Sequence, residues 1–307
     1  MHKSVTTEIL VVGGDGIIGS SLVAQFRGAG NRIMYTSRRK HKIPSDCLQL
    51  DLESVDDLSC TAEVVIICAA IHDYETCERY PNQSRRVNVE NTVKLATNLY
   101  SRGAHIIFLS TSGVFNGTEP EFRAETLPAA TTEMGRQKMD GEKGILALGN
   151  RTTILRSTKL ISTKTPRIAE WLAALSAQQI IRPLSDLYLC PISLKFMLNA
   201  ILMIALQRCS GILHLSGKSA LTYSDLMYQI CAAMRLDTEL VVPMDASSTN
   251  IPRILTRNKF SLGMATTTAS IDIRPQSITS VVTDLMEEYA NPLVFHRPSI
   301  SPPAPAY

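Results

Sequence analysis

Short apolar runs alternate with segments of helical spacing along the first half of the chain. A run that is apolar at almost every position, such as AEVVIICAA (62–70), is typical of a strand buried on both faces. Because strands and helices alternate, the pattern predicts right-handed crossovers and an α/β fold with a Rossmann-type doubly wound parallel sheet. The predicted strands are 8–14, 31–37, 47–52, 62–70, 105–112 and 151–157, and the predicted helices are 17–30, 84–103 and 134–149.

The pattern loosens after residue 157. It predicts helices near 166–179 and 193–207, a strand at 211–217 and a helix at 222–235. We interpret this part as a smaller C-terminal α/β substrate domain, packed over the carboxyl edge of the sheet. The predicted division is a dinucleotide-binding domain at 1–157, a substrate-binding region at 158–296 that is interleaved with the sheet, and a Pro-rich disordered tail at 297–307.

Composition and charge narrow the class of protein. The chain has 307 residues, of which 45% are hydrophobic and 19% charged, as in globular domains. A net charge of +3 is too small to imply a nucleic-acid partner. The seven cysteines form no CxxC pair, so reduced thiols are expected rather than a metal site. The longest apolar run, 196–206, is too short to cross a bilayer, and the first strand leaves no room for a signal peptide, so we expect a cytoplasmic protein.

A glycine-rich loop, GGDGIIG, lies directly between the first predicted strand and the first helix. Gly13 permits a tight turn, Gly16 lets a pyrophosphate approach the backbone, and Gly19 lets helix and strand pack closely. The helix N-terminus then faces the phosphates with free N–H groups. The loop, including Asp15, Ile17 and Ile18, therefore predicts a dinucleotide site.

The end of the second strand indicates which dinucleotide binds. An NAD site usually has an acidic residue there, whereas this strand ends in Ser37, Arg38 and Arg39. Guanidinium groups suit the 2′-phosphate of NADP(H), so NAD(H) is the weaker prediction. Asp51, after the third strand, is expected to approach the adenine ring.

These motifs and several later ones resemble, in order, the extended short-chain dehydrogenase/reductases (the NAD-dependent epimerase/dehydratase superfamily), and within them the dTDP-4-dehydrorhamnose reductase group. CAAIHDYETCE (68–78) is similar to the segment after the fourth strand, LSTSGVFNG (109–117) to the serine/threonine strand end, and MGRQKMDGEK (134–143) to the Tyr-x-x-x-Lys helix. The resemblance implies a nucleotide-sugar substrate. It implies further cofactor contacts at Leu52, Cys68, Ala69, Ala70, Asn88 and Lys138, and substrate contacts at Ser112, Gly113, Val114 and Arg257.

The resemblance also implies a catalytic arrangement, which this chain keeps only in part. In the family a tyrosine gives a proton to the carbonyl oxygen, and a lysine one helical turn later lowers its pKa. Here Thr111 takes the hydroxyl position and Lys138 the lysine position, but the tyrosine position holds Met134. A thioether has no proton to give.

Three interpretations of Met134 stay open. The first is an active NADP-dependent reductase of a 4-keto nucleotide sugar, with Thr111, Ser112, Glu133 or a water molecule as the proton source. The second is an NADP-binding regulatory protein resembling the β subunit of methionine adenosyltransferase. The third is an atypical nucleotide-sugar epimerase or dehydratase. Whether the chain forms a homodimer or binds a partner enzyme also stays open.

Overall fold

The structure is a computed structural model that describes residues 7–39, 44–55, 58, 60–249 and 259–291. Within these ranges the strands are β1 Glu8–Val12, β2 Arg32–Ser37, β3 Cys47–Gln49, β4 Val64–Ile67, β5 His105–Thr111, β6 Glu121–Phe122, β7 Thr152–Ser157, β8 Lys159–Ile161, β9 Tyr188–Leu189, β10 Pro191–Ser193, β11 Gly211–Leu215, β12 Leu221–Thr222 and β13 Ser261–Leu262. The helices are α1 Ile17–Gly28, α2 Tyr74–Arg79, α3 Pro81–Arg85, α4 Thr92–Ser101, α5 Glu133–Leu146, α6 Pro166–Ser176, α7 Leu194–Gln207, α8 Tyr223–Ala233, α9 Ala265–Ile271 and α10 Ile278–Ala290. Shorter helical turns of other types lie at Arg86–Asn91, Ser112–Val114, Thr238–Leu240 and Ala246–Ser248.

A parallel sheet of seven strands forms the centre of the fold, in the order β11-β7-β5-β4-β1-β2-β3. The predicted Rossmann-type doubly wound sheet is therefore confirmed. The strand order reverses beside β1, which pairs with β2 on one side and β4 on the other. At such a switch point the carboxyl ends of the strands leave a crevice for a ligand.

Both faces of the sheet are covered by helices. Alternate residues of β1 enter opposite apolar clusters, because successive side chains of a strand point to opposite faces. Ile9 and Val11 pack in one cluster with residues of α1 and α7, and Leu10 and Val12 pack in the other with residues of α4 and α5. Burial on both faces explains why these strands are almost continuously apolar.

The observed elements are shorter than the apolar runs that predict them. The run 62–70 forms a strand only at Val64–Ile67, and the run 47–52 only at Cys47–Gln49. The helix predicted at 84–103 is made of α3, the π-helical turn Arg86–Asn91 and α4. The residues beyond each strand continue into the loops that build the carboxyl edge.

The second half of the chain contributes to two cores. The segments 193–207 and 211–217 of the predicted substrate-binding region contribute to the large sheet and its cover. Strand β11 pairs with β7 at the edge of the large sheet, and α7 packs against the same sheet through its apolar residues. A separate apolar cluster joins α6, α8 and α10. The domain division at residue 157 itself stays a prediction.

Two further predictions concern membrane spans and the C-terminal part of the chain. Among the described residues, no helix combines the length and apolarity that crossing a membrane requires. The tail at 297–307 and Arg257 lie outside the described residues.

Candidate functional site

The loop between β1 and α1 is shaped by its glycines. Gly13 has a φ of +93°, in the region that favours glycine, and a Cβ atom on it would lie 2.8 Å from the backbone nitrogen of Ala69. A Cβ atom on Gly19 would lie 2.1 Å from the carbonyl oxygen of Gly13. The loop is held against β2, because the Gly13 and Gly14 N–H groups donate to Thr36 at 3.0 and 2.9 Å.

Gly16 differs from these two glycines. A Cβ atom on it would meet only the Gly13 carbonyl oxygen, at an ordinary contact distance of 3.5 Å. Gly16 is also the N-cap residue of α1, which has no side-chain cap and no acidic residue in its first turn. The fold itself therefore does not require glycine at 16, whereas an anion approaching the free N–H groups would.

Ser37, Arg39 and Asp15 meet at the end of β2. The Ser37 hydroxyl donates to Asp15 Oδ2 at 2.6 Å and accepts from the Arg39 backbone N–H at 3.0 Å. The Arg39 guanidinium lies 3.7 Å from Asp15 Oδ1. Arg38 is exposed. The site thus combines the predicted basic groups with a carboxylate whose charge opposes a 2′-phosphate.

Asp51 and Leu52 follow β3 and differ in exposure. Asp51 is exposed, and its carboxylate accepts from the backbone N–H of Glu53 at 2.9 Å. The Leu52 side chain is buried in the cluster under α4. Any contact of Leu52 with a ligand would have to use its backbone, and both cofactor contacts stay predictions.

Asn88 fixes the loop that follows β4. Its side-chain amide forms two hydrogen bonds of 2.8 Å with the backbone N–H and carbonyl of Ile71, and a third of 2.8 Å with Gln137. Asn88 is buried, so these bonds engage its amide in shaping the loop. Cys68, Ala69 and Ala70 lie at the start of this loop, and Ala69 contacts Gly13.

Thr111 and Lys138 lie at the carboxyl end of β5. Thr111 is the last residue of the strand, and its Oγ1 accepts from the Gly113 N–H at 3.1 Å. Lys138 Nζ donates to the Leu109 carbonyl at 2.9 Å and lies 4.5 Å from the centre of the Phe108 ring. Burial lowers the pKa of Lys138 to about 8, against the opposing effect of Glu142 and Cys68.

Met134 lies in the first turn of α5, one turn before Lys138. The helix begins at Glu133, because the Thr132 side chain caps it by accepting from the Gly135 N–H at 3.2 Å. A Cβ atom on Gly135 would lie 2.3 Å from the Gly113 carbonyl oxygen, so this turn packs directly on Ser112–Val114. Met134 is only 6% exposed, less open than expected for a position beside a substrate carbonyl.

The predicted substrate residues behave differently from one another. Ser112 and Gly113 are partly exposed beside Thr111. Val114 is fully buried in an apolar cluster with Phe115, and its carbonyl accepts from the Ala129 N–H at 2.9 Å. The Val114 side chain therefore supports the turn, and its substrate contact stays a prediction limited to the backbone.

Tyr74 is a residue of this site that the sequence motifs do not single out. A Cβ atom built on Gly113 would lie 3.6 Å from the Tyr74 hydroxyl oxygen and 3.5 Å from Thr111 Oγ1. Tyr74 is half-buried, and burial raises its pKa above the usual 10.0, opposed by the charge of Lys159. The available signal was its place in the segment 68–78, which leaves β4 at the carboxyl edge.

A buried ion pair lies beneath the strand end. Arg156 of β7 donates to Glu142 of α5 at 2.7 Å, with both side chains almost fully buried, and Ser110 donates to the same carboxylate. Arg156 also lies over the Phe115 ring, 5.1 Å from its centre. These contacts tie α5 to β5 and β7, so they fix the height of Lys138 above the sheet.

No group of His, Cys, Asp and Glu in the described ranges is arranged to hold a metal ion.

Comparison with known proteins gives a family and several similar folds. The sequence model of the family described as RmlD substrate binding domain matches residues 7–291. A probable low-salt glycan biosynthesis reductase, Agl14, of Haloferax volcanii is 26% identical over 246 residues, which cover 75% of this chain and 81% of that protein. The methionine adenosyltransferase 2 subunit beta of Pongo abelii is 28% identical over 151 residues, or 48% of this chain, and the match spans only 45% of that relative's length.

A solved structure supports the fold. The dTDP-4-dehydrorhamnose reductase of Bacillus anthracis, solved in complex with NADP, superposes with a TM-score of 0.80 at 16% identity, covering 93% of this chain and 99% of that one. At this level of identity the likeness shows a shared fold.

Proposed function

Because the chain belongs to the RmlD substrate binding domain family, we propose that it is an NADP(H)-dependent oxidoreductase that reduces the keto group of a nucleotide-linked sugar. The observation that carries the proposal is the meeting of the glycine loop, Thr111 and Lys138 at one edge of the sheet. Ala69 contacts Gly13, and the neighbouring Cys68 directly follows β4, which pairs with both β1 and β5. A dinucleotide extending from the loop toward Lys138 would pass these two residues.

The residues present fit NADP(H). The backbone of the loop at Gly13, Asp15 and Gly16 and of the N-terminus of α1, with Ile17, Ile18 and Gly19, would hold the pyrophosphate, and Ser37, Arg38 and Arg39 the 2′-phosphate. Asp51 and Leu52 would flank the adenine, and Cys68, Ala69, Ala70, Asn88 and Lys138 would line the nicotinamide end. When bound, this cofactor supplies a hydride.

The chain's own groups would orient the sugar carbonyl. The Thr111 oxygen accepts from Gly113, which leaves its hydroxyl hydrogen to donate to a carbonyl oxygen. Lys138, whose pKa is lowered to about 8, is still mostly protonated at neutral pH and adds positive charge where negative charge develops. Ser112, Gly113 and Arg257 are proposed to contact the substrate, with residues 158–296 forming most of its site.

Binding and turnover together test this function. Calorimetry should show NADPH binding, and NADPH oxidation should follow addition of one member of a panel of dTDP-, UDP- and GDP-linked keto sugars. Lys138→Ala should weaken NADPH binding about tenfold, since one charge-assisted hydrogen bond to the ribose is lost. Lys143→Ala on the exposed face of the same helix is the control and should bind normally. A protein that binds no NADPH would refute the proposal.

A regulatory role is the second candidate function. It is favoured by the similarity to the methionine adenosyltransferase 2 subunit beta together with Met134 at the proton-donor position. The test mixes this chain with a methionine adenosyltransferase catalytic subunit and measures co-elution and the kinetics of that enzyme. Co-elution with altered kinetics, and no keto-sugar reduction, would favour this candidate.

An atypical epimerase or dehydratase is a third, less supported alternative. Such enzymes regenerate their cofactor within one turnover. Conversion of dTDP-, UDP- or GDP-linked sugars that carry a free hydroxyl group, with no net change in the amount of reduced cofactor, would reveal it. A homodimer remains a prediction that sedimentation would test.

A further inference from the structure

The Tyr74 hydroxyl group has no hydrogen-bond partner among the described residues, although it lies in the candidate site. The Tyr74 side chain is half-buried, and its oxygen flanks the same point beside Gly113 as the Thr111 hydroxyl, at 3.6 and 3.5 Å from a Cβ atom built there. Two hydroxyl groups that flank one point of the candidate site are placed to approach the same group of a substrate.

The segment that carries Tyr74 is held firmly. Asp73 caps α2 by accepting from the Thr76 N–H at 2.7 Å, and Tyr74 is the first residue of that helix. Glu78, one turn further along, accepts from the Glu133 backbone N–H of α5 at 2.8 Å. The helix that begins with Tyr74 is therefore tied to the turn of α5 that carries Met134.

The other candidate proton sources are less suitable. Both carboxylate oxygens of Glu133 accept hydrogen bonds, from Arg136 and Gln137 at 3.0 Å each, so this group acts as an acceptor. Lys138 already donates to the Leu109 carbonyl from a buried position. An aliphatic hydroxyl such as that of Thr111 is a far weaker acid than a phenol, because the ring delocalises the charge of the phenolate.

We propose that Tyr74 is the proton donor of the reduction and takes the part of the tyrosine that is missing at position 134. This inference rests on the proposed reductase function. A hydride from NADPH, which becomes NADP⁺ as its own C–H bond breaks, would form the new C–H bond at the carbonyl carbon, and the π electrons of the carbonyl would move to its oxygen. That oxygen takes the proton of Tyr74, and solvent water returns a proton to the phenolate. Burial keeps the phenol protonated at neutral pH, and Lys159 stabilises the phenolate that forms, while Cys77 and Tyr223 oppose it.

Tyr74→Phe removes one oxygen atom and leaves the ring in place, so the variant should fold. With saturating NADPH and keto sugar, its kcat should fall by ~10²- to 10⁴-fold, the range of positioned acid catalysis. Its NADPH affinity, by calorimetry, should be unchanged. Tyr80→Phe removes a phenol from a 53% exposed position in the same segment and should react like the wild type.

A binding measurement without NADPH gives a readout that is independent of turnover. Loss of one neutral hydrogen bond should weaken binding of the dTDP-linked keto sugar to Tyr74→Phe by roughly 2- to 10-fold. Binding of dTDP alone should be equal in the two proteins. In the double variant Tyr74→Phe/Met134→Tyr, a phenol returns at the family position and part of the lost kcat should reappear.

The outcomes separate the two hypotheses. A wild type that reduces a keto sugar, with Tyr74→Phe equal to it in kcat and in keto-sugar affinity, would overturn the role of Tyr74 and leave the reductase function standing. Loss of NADPH and dTDP binding in Tyr74→Phe would also overturn it, because the residue would then be structural. A wild type that binds NADPH but reduces none of the keto sugars would refute the reductase function itself, and the proton-donor role with it.

Discussion

The two sides of the carboxyl edge are specified in different ways. In the β1–α1 loop the backbone itself requires glycine, since Cβ atoms at Gly13 and Gly19 would lie under 3 Å from backbone atoms. On the α5 side the backbone contact is also tight, at Gly135, but the first turn of the helix carries Met134 where the family resemblance predicts a tyrosine. Close backbone packing therefore fixes the turns on both sides, whereas the chemistry predicted for the α5 side depends on which side chains stand there.

This difference separates what a fold requires from what a reaction requires. Where the backbone leaves no room for a Cβ atom, glycine is needed at that position, and a change elsewhere in the chain cannot compensate for its loss. A proton donor can come from any element that reaches the carbonyl oxygen, and the Tyr74 hydroxyl of α2 lies beside Gly113, next to Thr111. Variants on the two sides should accordingly give different kinds of defect.

Gly16→Ala should have the largest effect on binding. Its Cβ atom would make only an ordinary contact of 3.5 Å in the free protein, so the fold should be unaffected. The added methyl group would keep a pyrophosphate from the backbone, and two charge-assisted hydrogen bonds at about 1.5 kcal/mol each correspond to a loss of about 100-fold in NADPH affinity. Calorimetry and thermal unfolding measure the two properties separately.

The matched control is Gly28→Ala at the other end of α1, where an added Cβ atom would have no neighbour within 4 Å. It should retain both stability and NADPH affinity. Normal NADPH binding by Gly16→Ala would break the comparison, because the loop would then be a structural turn only.

The lowered pKa of Lys138 corresponds to a cost of about 3.4 kcal/mol, and losing its hydrogen bond to the Leu109 carbonyl costs about 1 kcal/mol, so Lys138→Met should gain about 2 kcal/mol in stability at pH 7. The folded pKa of Lys138, about 8, is below its usual value of 10.5, so the native state binds fewer protons between these values. Stability of the wild type should therefore rise with pH across this window, while the full cost is present below pH 8. Met keeps the apolar stem and removes the buried charge.

Thermal unfolding from pH 6 to pH 10 checks this prediction. The advantage of Lys138→Met should be largest below about pH 8 and should shrink toward pH 10. A constant difference across this range would show that packing, rather than the buried charge, sets the effect. Lys143→Met, at an exposed position of the same helix, should show no such pH dependence.

Replacing Arg38 and Arg39 by Ala tests the end of β2, where the 2′-phosphate of NADP(H) is proposed to bind. Both guanidinium groups are largely exposed, so we expect a modest loss of about tenfold in NADPH affinity, or about 1.4 kcal/mol. NADH, which lacks the 2′-phosphate, should bind almost unchanged. Equal losses for the two cofactors in parallel titrations would remove the argument for NADP(H).

The sequence was informative where local geometry decides the structure. The parallel sheet follows from the apolar runs, and the β1–α1 turn follows from glycines whose spacing has a steric cause. Lys138 could be placed because helical periodicity puts it one turn after Met134, and both lie in α5 as expected.

Features that depend on long-range packing could not be predicted. Tyr74 approaches Gly113 only because α2 docks on the N-terminus of α5, through a hydrogen bond between residues 55 positions apart. The inclusion of β11 in the large sheet depends on its pairing with β7, which a local pattern does not reveal. The sequence places Asp15 in the glycine-rich loop but does not reveal its contact with Arg39. These two residues meet only because β2 pairs with β1.

Asp15→Asn should have the smallest effect and would sharpen the comparison within the cofactor side. The amide can still accept a hydrogen bond from the Ser37 hydroxyl, which now donates to Asp15 Oδ2 at 2.6 Å, but the negative charge is removed. Because the charges in this corner are partly exposed and screened, we expect only a roughly threefold gain in NADPH affinity, smaller at high salt, and little change for NADH. Titrations at low and high ionic strength would measure it. A fall in NADPH affinity would mean that Asp15 contributes by holding the Arg39 guanidinium, 3.7 Å away, in place for the phosphate. Cofactor binding beside the β1–α1 loop would then also depend on the identity of a side chain, as the chemistry on the α5 side does. The two sides would differ only in how strongly they depend on it.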